Sequence, residues 1–238
     1  MSVVLSAALE ASVGHAAPRK PPVLAMVEEA EKILLRAQSY TSVFHKVERV
    51  RGKLLPEEVM FLKFRKPFSI YMKWTGKHGR ANELMYVEGW NKGRLRIRPR
   101  GLAGLFVFDF RPDSSMILDT NRHPITHIGL GYLTGLVADN MRRAHKAGEL
   151  VIEDQGTGTL YGRPAHTWVV HFPADEPKGY YCYRGILTMD TAARIPLRLL
   201  LFDWKDELME DYGYEDTRLD ARLVDRDFDP ANPEYRLK

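Results

Sequence analysis

The stretch LLPEEVMFLKFRKPFSIYMKW, residues 54 to 74, decides the fold class. Its apolar residues recur at every second position. In MFLKFRK, Met60, Leu62 and Phe64 share one parity; Phe61, Lys63 and Arg65 share the other. In FSIYMKW, Phe68, Ile70, Met72 and Trp74 oppose Ser69, Tyr71 and Lys73. Side chains alternate faces along a strand, so each run reads as a strand with one greasy and one polar face. The connection between them is short, which makes the pair antiparallel.

The same period extends outward. YTSVFHKVERVRG precedes the stretch as a strand, and ELMYVEGW and GRLRIRP follow it, split by the hairpin signal Asn91-Lys92-Gly93. LFVFDF, 105 to 110, reads as a further short strand. In KGRLRIRPR, 92 to 100, a cation falls at every second position: Lys92, Arg94, Arg96, Arg98 and Arg100. One face of that strand is therefore cationic, in line with Lys63, Arg65 and Lys73 on its neighbours. The face has three readings. It is a solvated outer surface that also blocks edge-to-edge pairing, a contact of Arg94, Arg96 and Arg98 with anionic lipid headgroups, or a nucleic-acid surface. The last needs aromatic rings among the cations. Phe61 and Tyr71 are there, but the net charge is only +4 and the C-terminal strands are acidic, so no nucleic-acid partner is expected.

Upstream, VLAMVEEAEKILLRAQSY carries Val23, Met26, Val27, Ala30, Ile33, Leu34 and Ala37 at three- and four-residue spacing, which predicts an amphipathic helix. A second helix is predicted from about Tyr132, with Leu133, Leu136, Val137, Met141 and Ala144 as its apolar stripe and Gly148 as its stop. Strands resume with LVIED, TGTLYGRPAHTWVVHF, YYCYRGILTMD, IPLRLLLFDWK and LMEDYGYEDTRL. From about residue 224, DRDFDPANPEY has two prolines and no period, and reads as a coil over the body. The expected fold is one α+β domain over 23–238: a curved antiparallel sheet, an incomplete barrel, with helices covering its concave apolar face. Phe64, Ile70, Met72, Trp74, Trp168, Val170, Leu199 and Leu201 are the expected lining of that face. They would form either a core packed shut by the helices or a cavity for acyl chains. A cavity on the order of 300 Å³ or more would mark the second.

Charge is unevenly placed. Residues 45–100 hold 15 Lys/Arg against 5 Asp/Glu, and residues 203–229 hold 4 against 11. Two segments of one sheet that neutralise each other would explain this; an anionic partner is the alternative. Residues 1–22, MSVVLSAALEASVGHAAPRKPP, read as a leader and Pro-rich linker. The short apolar patch and the small residues Ala16 and Ala17 suggest a truncated export signal, although no cation precedes the patch and Glu10 interrupts it. The expected location is the periplasm, or the cytoplasm if the leader is no signal.

In the order of its elements the chain resembles the LolA/LolB-like superfamily of outer-membrane lipoprotein carriers. The likeness runs through FHKVER, FLKFRKP, FSIYMKW, YVEGW, the GTLYGRPAHTWVVHF hairpin and IPLRLLLFDWKDELMEDYGYEDTRL, about Val23 to Tyr235. LLPEEVMFLKFRKPFSIYMKW, RHPITHIGLG and DFDPANPEY are similar to an uncharacterised bacterial domain family within it. The resemblance implies an incomplete barrel lidded by helices and a periplasmic carrier of lipid or acylated protein. No arginine here matches by motif the one that latches the lid in the carriers.

Catalytic and metal chemistry find few candidates. His123 and His127 are four apart, but Pro124 biases His123 away from helical geometry. His166 and His171 have opposite parity. Cys182, the single cysteine, sits in aromatic YYCY as a small buried hydrophobe would. Gly156-Thr157-Gly158 has no following Lys-Ser/Thr, and Asp227, Asp229 and Glu234 lack calcium-loop spacing. A non-catalytic monomer with no cofactor is therefore expected. Its mechanism would be reversible burial of apolar chains, with the two helices moving as a lid and transient contact with a membrane surface.

Overall fold

The computed structural model describes residues 19–238. The expected leader lies, through residue 18, outside the described residues. Helix α1 spans Pro22–Arg36. Pro22 begins the helix instead of ending the linker, because its fixed φ suits a first helical turn and its missing N–H has no helical partner there. The strands that follow are β1 (Ser39–Val50), β2 (Lys53–Leu54), β3 (Glu58–Arg65), β4 (Ser69–Trp74), β5 (Ala81–Val87), β6 (Leu95–Pro99) and β7 (Phe108–Phe110). Then come the single-turn α2 (Ser115–Leu118) and the long α3 (Leu130–Ala147). The strands β8 (Val151–Leu160), β9 (Arg163–His171), β10 (Arg184–Asp190), β11 (Pro196–Phe202) and β12 (Leu208–Leu219) complete the fold. Gly148 ends α3 in the left-handed conformation at φ 69°, as its position in the sequence requires.

All twelve strands form one antiparallel sheet, in the order β7-β6-β5-β4-β3-β1-β12-β11-β10-β9-β8 with β2 beside β1. It is an open curved sheet. Two meanders, β3–β7 and β8–β12, meet where β1 pairs with β12. Because β7 and β8 are the opposite edges, residues 111–150 must return across the sheet. That return carries α2 and α3 onto the apolar side. The helices α1 and α3 pack on each other and, with the sheet, form one core that includes Val23, Val27, Leu34, Leu133, Met141, Phe44, Leu62 and Leu187. Lys66, in the β3–β4 turn, donates to the Leu34 and Leu35 carbonyls and so caps the C-terminus of α1.

Three expectations need correction. The five-cation ladder shrinks, because Asn91, Lys92 and Gly93 adopt positive φ (52°, 54° and 70°) in a turn and β6 begins only at Leu95. LFVFDF is a strand only over Phe108–Phe110; Gly101–Leu105 winds into a short 3-10 turn, leaving Leu102, Leu105 and Phe106 exposed. The outer face is also not wholly wet. The C-terminal coil lies over β4 and β5 and builds a second small core from Tyr71, Met85, Phe228, Tyr235 and Leu237. Tyr235 stacks on Tyr71 at 4.0 Å between ring centroids. The coil's acids meet the strand cations: Lys63 lies 2.6 Å from Asp227 and Arg65 2.9 Å from Asp225. The charge imbalance is thus in part internal neutralisation.

Ile70 is fully buried in the main core. Ile70→Asp would leave an unpaired carboxylate there, whose burial outweighs a typical total stability of ~5–15 kcal/mol. The expected outcome is loss of the cooperative thermal transition. Tyr235→Ala should instead leave a folded domain with an earlier denaturation midpoint, destabilised by about 3 kcal/mol. Urea titrations of both variants check this.

Candidate ligand cavity

The helices fill only part of the concave face. The remainder encloses a cavity of about 560 Å³. One wall is sheet: Met72 and Trp74 on β4, Leu84 on β5, Leu95 and Ile97 on β6, and Phe110 on β7. The opposite wall is the returning segment, with Ile117, Ile125, Ile128, Leu133 and Leu136. Arg80, Met116, His127 and Tyr132 are exposed members of the lining and mark its mouth. The ring of His127 stacks on Tyr132 at 4.9 Å. Gly79 packs so closely on the Trp74 indole that a Cβ there would sit 2.3 Å from its Cδ1, and its φ of 115° favours glycine in any case.

One end of the cavity is polar, and strand parity explains why. Phe44, Lys46 and Glu48 alternate onto the concave face of β1, as Glu210, Tyr212 and Tyr214 do on β12. Lys46 Nζ lies 2.6 Å from Asn121 Oδ1, 3.1 Å from Glu58 and 3.5 Å from Glu48. Burial pulls its ammonium pKa down, but the two carboxylates outweigh that and hold it above the ordinary 10.5. Tyr212 donates to Glu48 Oε1. Glu210 is 1% exposed. Its Oε1 accepts from Arg122 Nε at 2.8 Å and from Tyr181 Oη, and lies 2.9 Å from His123 Nε2. Burial alone would raise its pKa; the contacts from His123, Tyr181 and Arg122 prevail and hold the carboxyl below the ordinary 4.5.

The eight expected lining residues divide. Met72 and Trp74 are on the cavity wall. Ile70, Trp168, Val170, Leu199 and Leu201 are buried in the packed core, and Phe64 packs against it. Parity assigns a residue to a face but says nothing about which part of that face a helix covers. Of the expected headgroup arginines, Arg96 is held by Asp109 at 2.8 Å and lies 5.2 Å from the Trp90 ring, and Arg98 donates to the Gly104 carbonyl. Arg94 is exposed. Arg100 turns to the carbonyls of Gly76, Lys77 and Ala81. His123 and His127 both border the cavity but belong to different contacts, and burial pushes the Cys182 thiol up to about 12. Asp227 is engaged by Lys63 and by the Val224 N–H. The residues missed in the sequence, Lys46, Glu48 and Glu210, share parity with inward-facing aromatics, and that was the available signal.

Residues 37–237 match the family described as Protein of unknown function (DUF1571), and the chain belongs to it. A search of curated proteins finds no match. Among solved structures, the chain is similar to the Pseudomonas aeruginosa MucA/MucB complex, at 18% identity and TM-score 0.44, covering 87% of this chain and 59% of that one. It therefore spans about three fifths of the MucB chains it matches. It is also similar to the Mycobacterium tuberculosis lipoprotein LppX, at 9% identity and TM-score 0.49, covering 85% and 97% of the two chains. LprF from Mycobacterium bovis gives 13% identity and TM-score 0.48, with 86% and 96% covered. All three scores lie under 0.5, so the cavity's own chemistry carries the functional reading.

Because Glu210 ionises more readily folded than unfolded, its contribution to stability is present above pH 4.5 and is lost as pH falls through its lower folded value. Glu210→Gln should flatten the acid limb of the stability curve relative to wild type. Denaturation midpoints measured from pH 7 down to pH 3 check this, and parallel curves would contradict it.

Proposed function

We propose that this member of the DUF1571 family is a non-catalytic carrier that holds a lipid or an acylated protein by its apolar chain. The observation that carries the reading is the cavity of about 560 Å³, apolar along both walls, in a face otherwise packed by α1 and α3. Protein interiors are close-packed, and an unfilled apolar space forfeits dispersion contacts. A fold selected only to pack would close it. Each methylene entering contributes roughly 0.8 kcal/mol, so even part of an acyl chain binds usefully.

The wall formed by α2 and the start of α3 is the element that would move to admit a chain. The mouth supports a transient membrane contact. Leu102, Leu105 and Phe106, in the turn that follows β6, are 88%, 80% and 64% exposed, and Met116 and Arg80 at the mouth are exposed as well. Apolar tips with cations nearby suit an anionic bilayer surface. The reading includes a monomer exported to the periplasm, motivated by the small-residue leader.

A closed interaction module of the same fold is the second reading, and the cavity volume weighs against it. An enzyme has one observation in its favour, the ionisable cluster at the polar end of the cavity. Against it, Glu210 and Lys46 are each held in their ordinary charge state by fixed partners, so neither is poised to exchange a proton near neutrality.

Of the four tryptophans only Trp74 lines the cavity. Titration with a neutral fluorescent acyl-chain probe should quench Trp74 emission, and Trp74→Phe should remove that signal. Ile97→Trp, which fills the wall, should weaken uptake roughly tenfold or more while keeping the fold, since moderate overpacking costs about 1–3 kcal/mol. No uptake by wild type, together with no lipid co-purifying in native mass spectrometry, would sink the carrier.

A further inference from the structure

The charged lining of the cavity sorts by exposure. Its three carboxylates are buried or half-buried, and each has a cation. Lys46 serves Glu48 and Glu58, and Arg122, just behind the lining, serves Glu210. The basic groups nearer solvent have no carboxylate. Arg80 and His127 are exposed at the mouth, one on the sheet wall and one on the returning segment. The His127 ring stacks on Tyr132, and neither side chain makes an ion pair or a hydrogen bond among the described residues. Lys77 and His78, in the same β4–β5 connection as Arg80, are exposed and equally unpartnered there. Arg100, also in the lining, fixes this connection. Its guanidinium donates to the carbonyls of Gly76 and Lys77, each at 2.6 Å, and of Ala81 at 3.2 Å. Its backbone N–H donates to the Arg80 carbonyl at 2.8 Å. These are neutral oxygens, so the Arg100 charge is not offset either.

We infer that the cavity takes an amphiphile with an anionic head, a carboxylate or a phosphate, held by Arg80 at the mouth while the chain lies along the apolar walls. This rests on the carrier reading and adds to it the headgroup class and the orientation. A guanidinium presents a fork of donors that fits either oxyanion. At the mouth the head keeps much of its water, so seating it there avoids the cost of burying a charge. Driven inward, it would meet Glu48, Glu58 and Glu210. An ammonium at the rim would instead meet like charge from Arg80, Lys77 and Arg100. The loop is already ordered by Arg100, so little conformational freedom is lost when the head arrives. The rim thus discriminates between amphiphiles that the apolar walls treat alike.

The oxyanion could come from a free fatty acid or from a phospholipid, and the test separates the two. Dodecanoate, dodecanol, dodecylamine and lauroyl-lysophosphatidylglycerol are titrated into the full chain at low salt, each displacing the neutral acyl-chain probe. The titrations are run at pH 8, where an ordinary histidine is neutral and Arg80 is not. Dodecanoate is expected to bind roughly fivefold or more tighter than dodecanol, a difference of ~1 kcal/mol, with dodecylamine weakest. The lysophospholipid tighter than dodecanoate identifies a phospholipid source; the reverse identifies the free acid. In Arg80→Gln the preference for dodecanoate over dodecanol should vanish while dodecanol affinity stays within about twofold. Lys146→Gln is the control for net charge. Lys146 is exposed on α3, ten residues beyond Leu136 and so about 15 Å along the helix from the lining, and its loss should leave the preference intact. Equal affinities, dodecylamine the tightest, or a preference that Arg80→Gln spares or Lys146→Gln abolishes, overturn the headgroup assignment and leave the carrier standing. No displacement by any of the four overturns both.

Discussion

The placement of β7 and β8 at opposite edges of one sheet is the constraint from which the rest follows. A chain that ends one meander at one edge and begins the next at the other has to recross the sheet. The recrossing segment is amphipathic where it becomes α3, so it comes down on the apolar side. It covers that side unevenly, because α1 already occupies part of it and α3 packs against α1. The stretch before α3, with α2 and the loop through Ile128, bridges the remaining span without filling it. The cavity is therefore a consequence of topology as much as of side-chain choice.

Within that space the composition is graded. The β4–β7 side offers aliphatic and aromatic walls, and the β1/β12 seam offers paired charges. The seam is where the two meanders are joined, and the charged pairs sit where two neighbouring strands present inward-facing positions side by side, Glu48 opposite Glu210 and Lys46 opposite Tyr212. Two carboxylates in direct register would repel; Lys46, Arg122, His123 and Tyr212 surround them and make the pairing tolerable. The ordering contacts also tie the returning segment, through Asn121, Arg122 and His123, to the central strands. The floor of the cavity and its lid are thus held by the same network.

The sheet was legible in the sequence because alternation is a local property: Met60-Leu62-Phe64 and Ile70-Met72 state their face without knowledge of the rest of the chain. Both long helices were legible for the same reason. What alternation does not encode is depth along a face. Ile70 and Met72 share parity on one strand, yet one lies under helix and the other borders open space. The polar end was hidden for a different reason. Lys46 and Glu48 look like an ordinary solvated face until Phe44 fixes their direction, and their partners arrive from residues 121–123 and 210–212, far away in sequence. The outer face misled in the opposite sense, since Tyr71 reads as surface and is covered only because the terminal coil folds back over it.

The seam between β1 and β12 joins residues near 45 to residues near 213, with Phe44 stacked on Tyr214 at 4.9 Å. The β1–β3 pairing can form early, but the other edge of β1 has no partner until the chain is nearly finished. Loop closure over such a separation is entropically slow, and topologies of this kind assemble late. While the chain is still being made or moved, β1 waits with one open ladder edge. Such a species invites pairing with the wrong strand, so the half-made protein is the one with a claim on a chaperone.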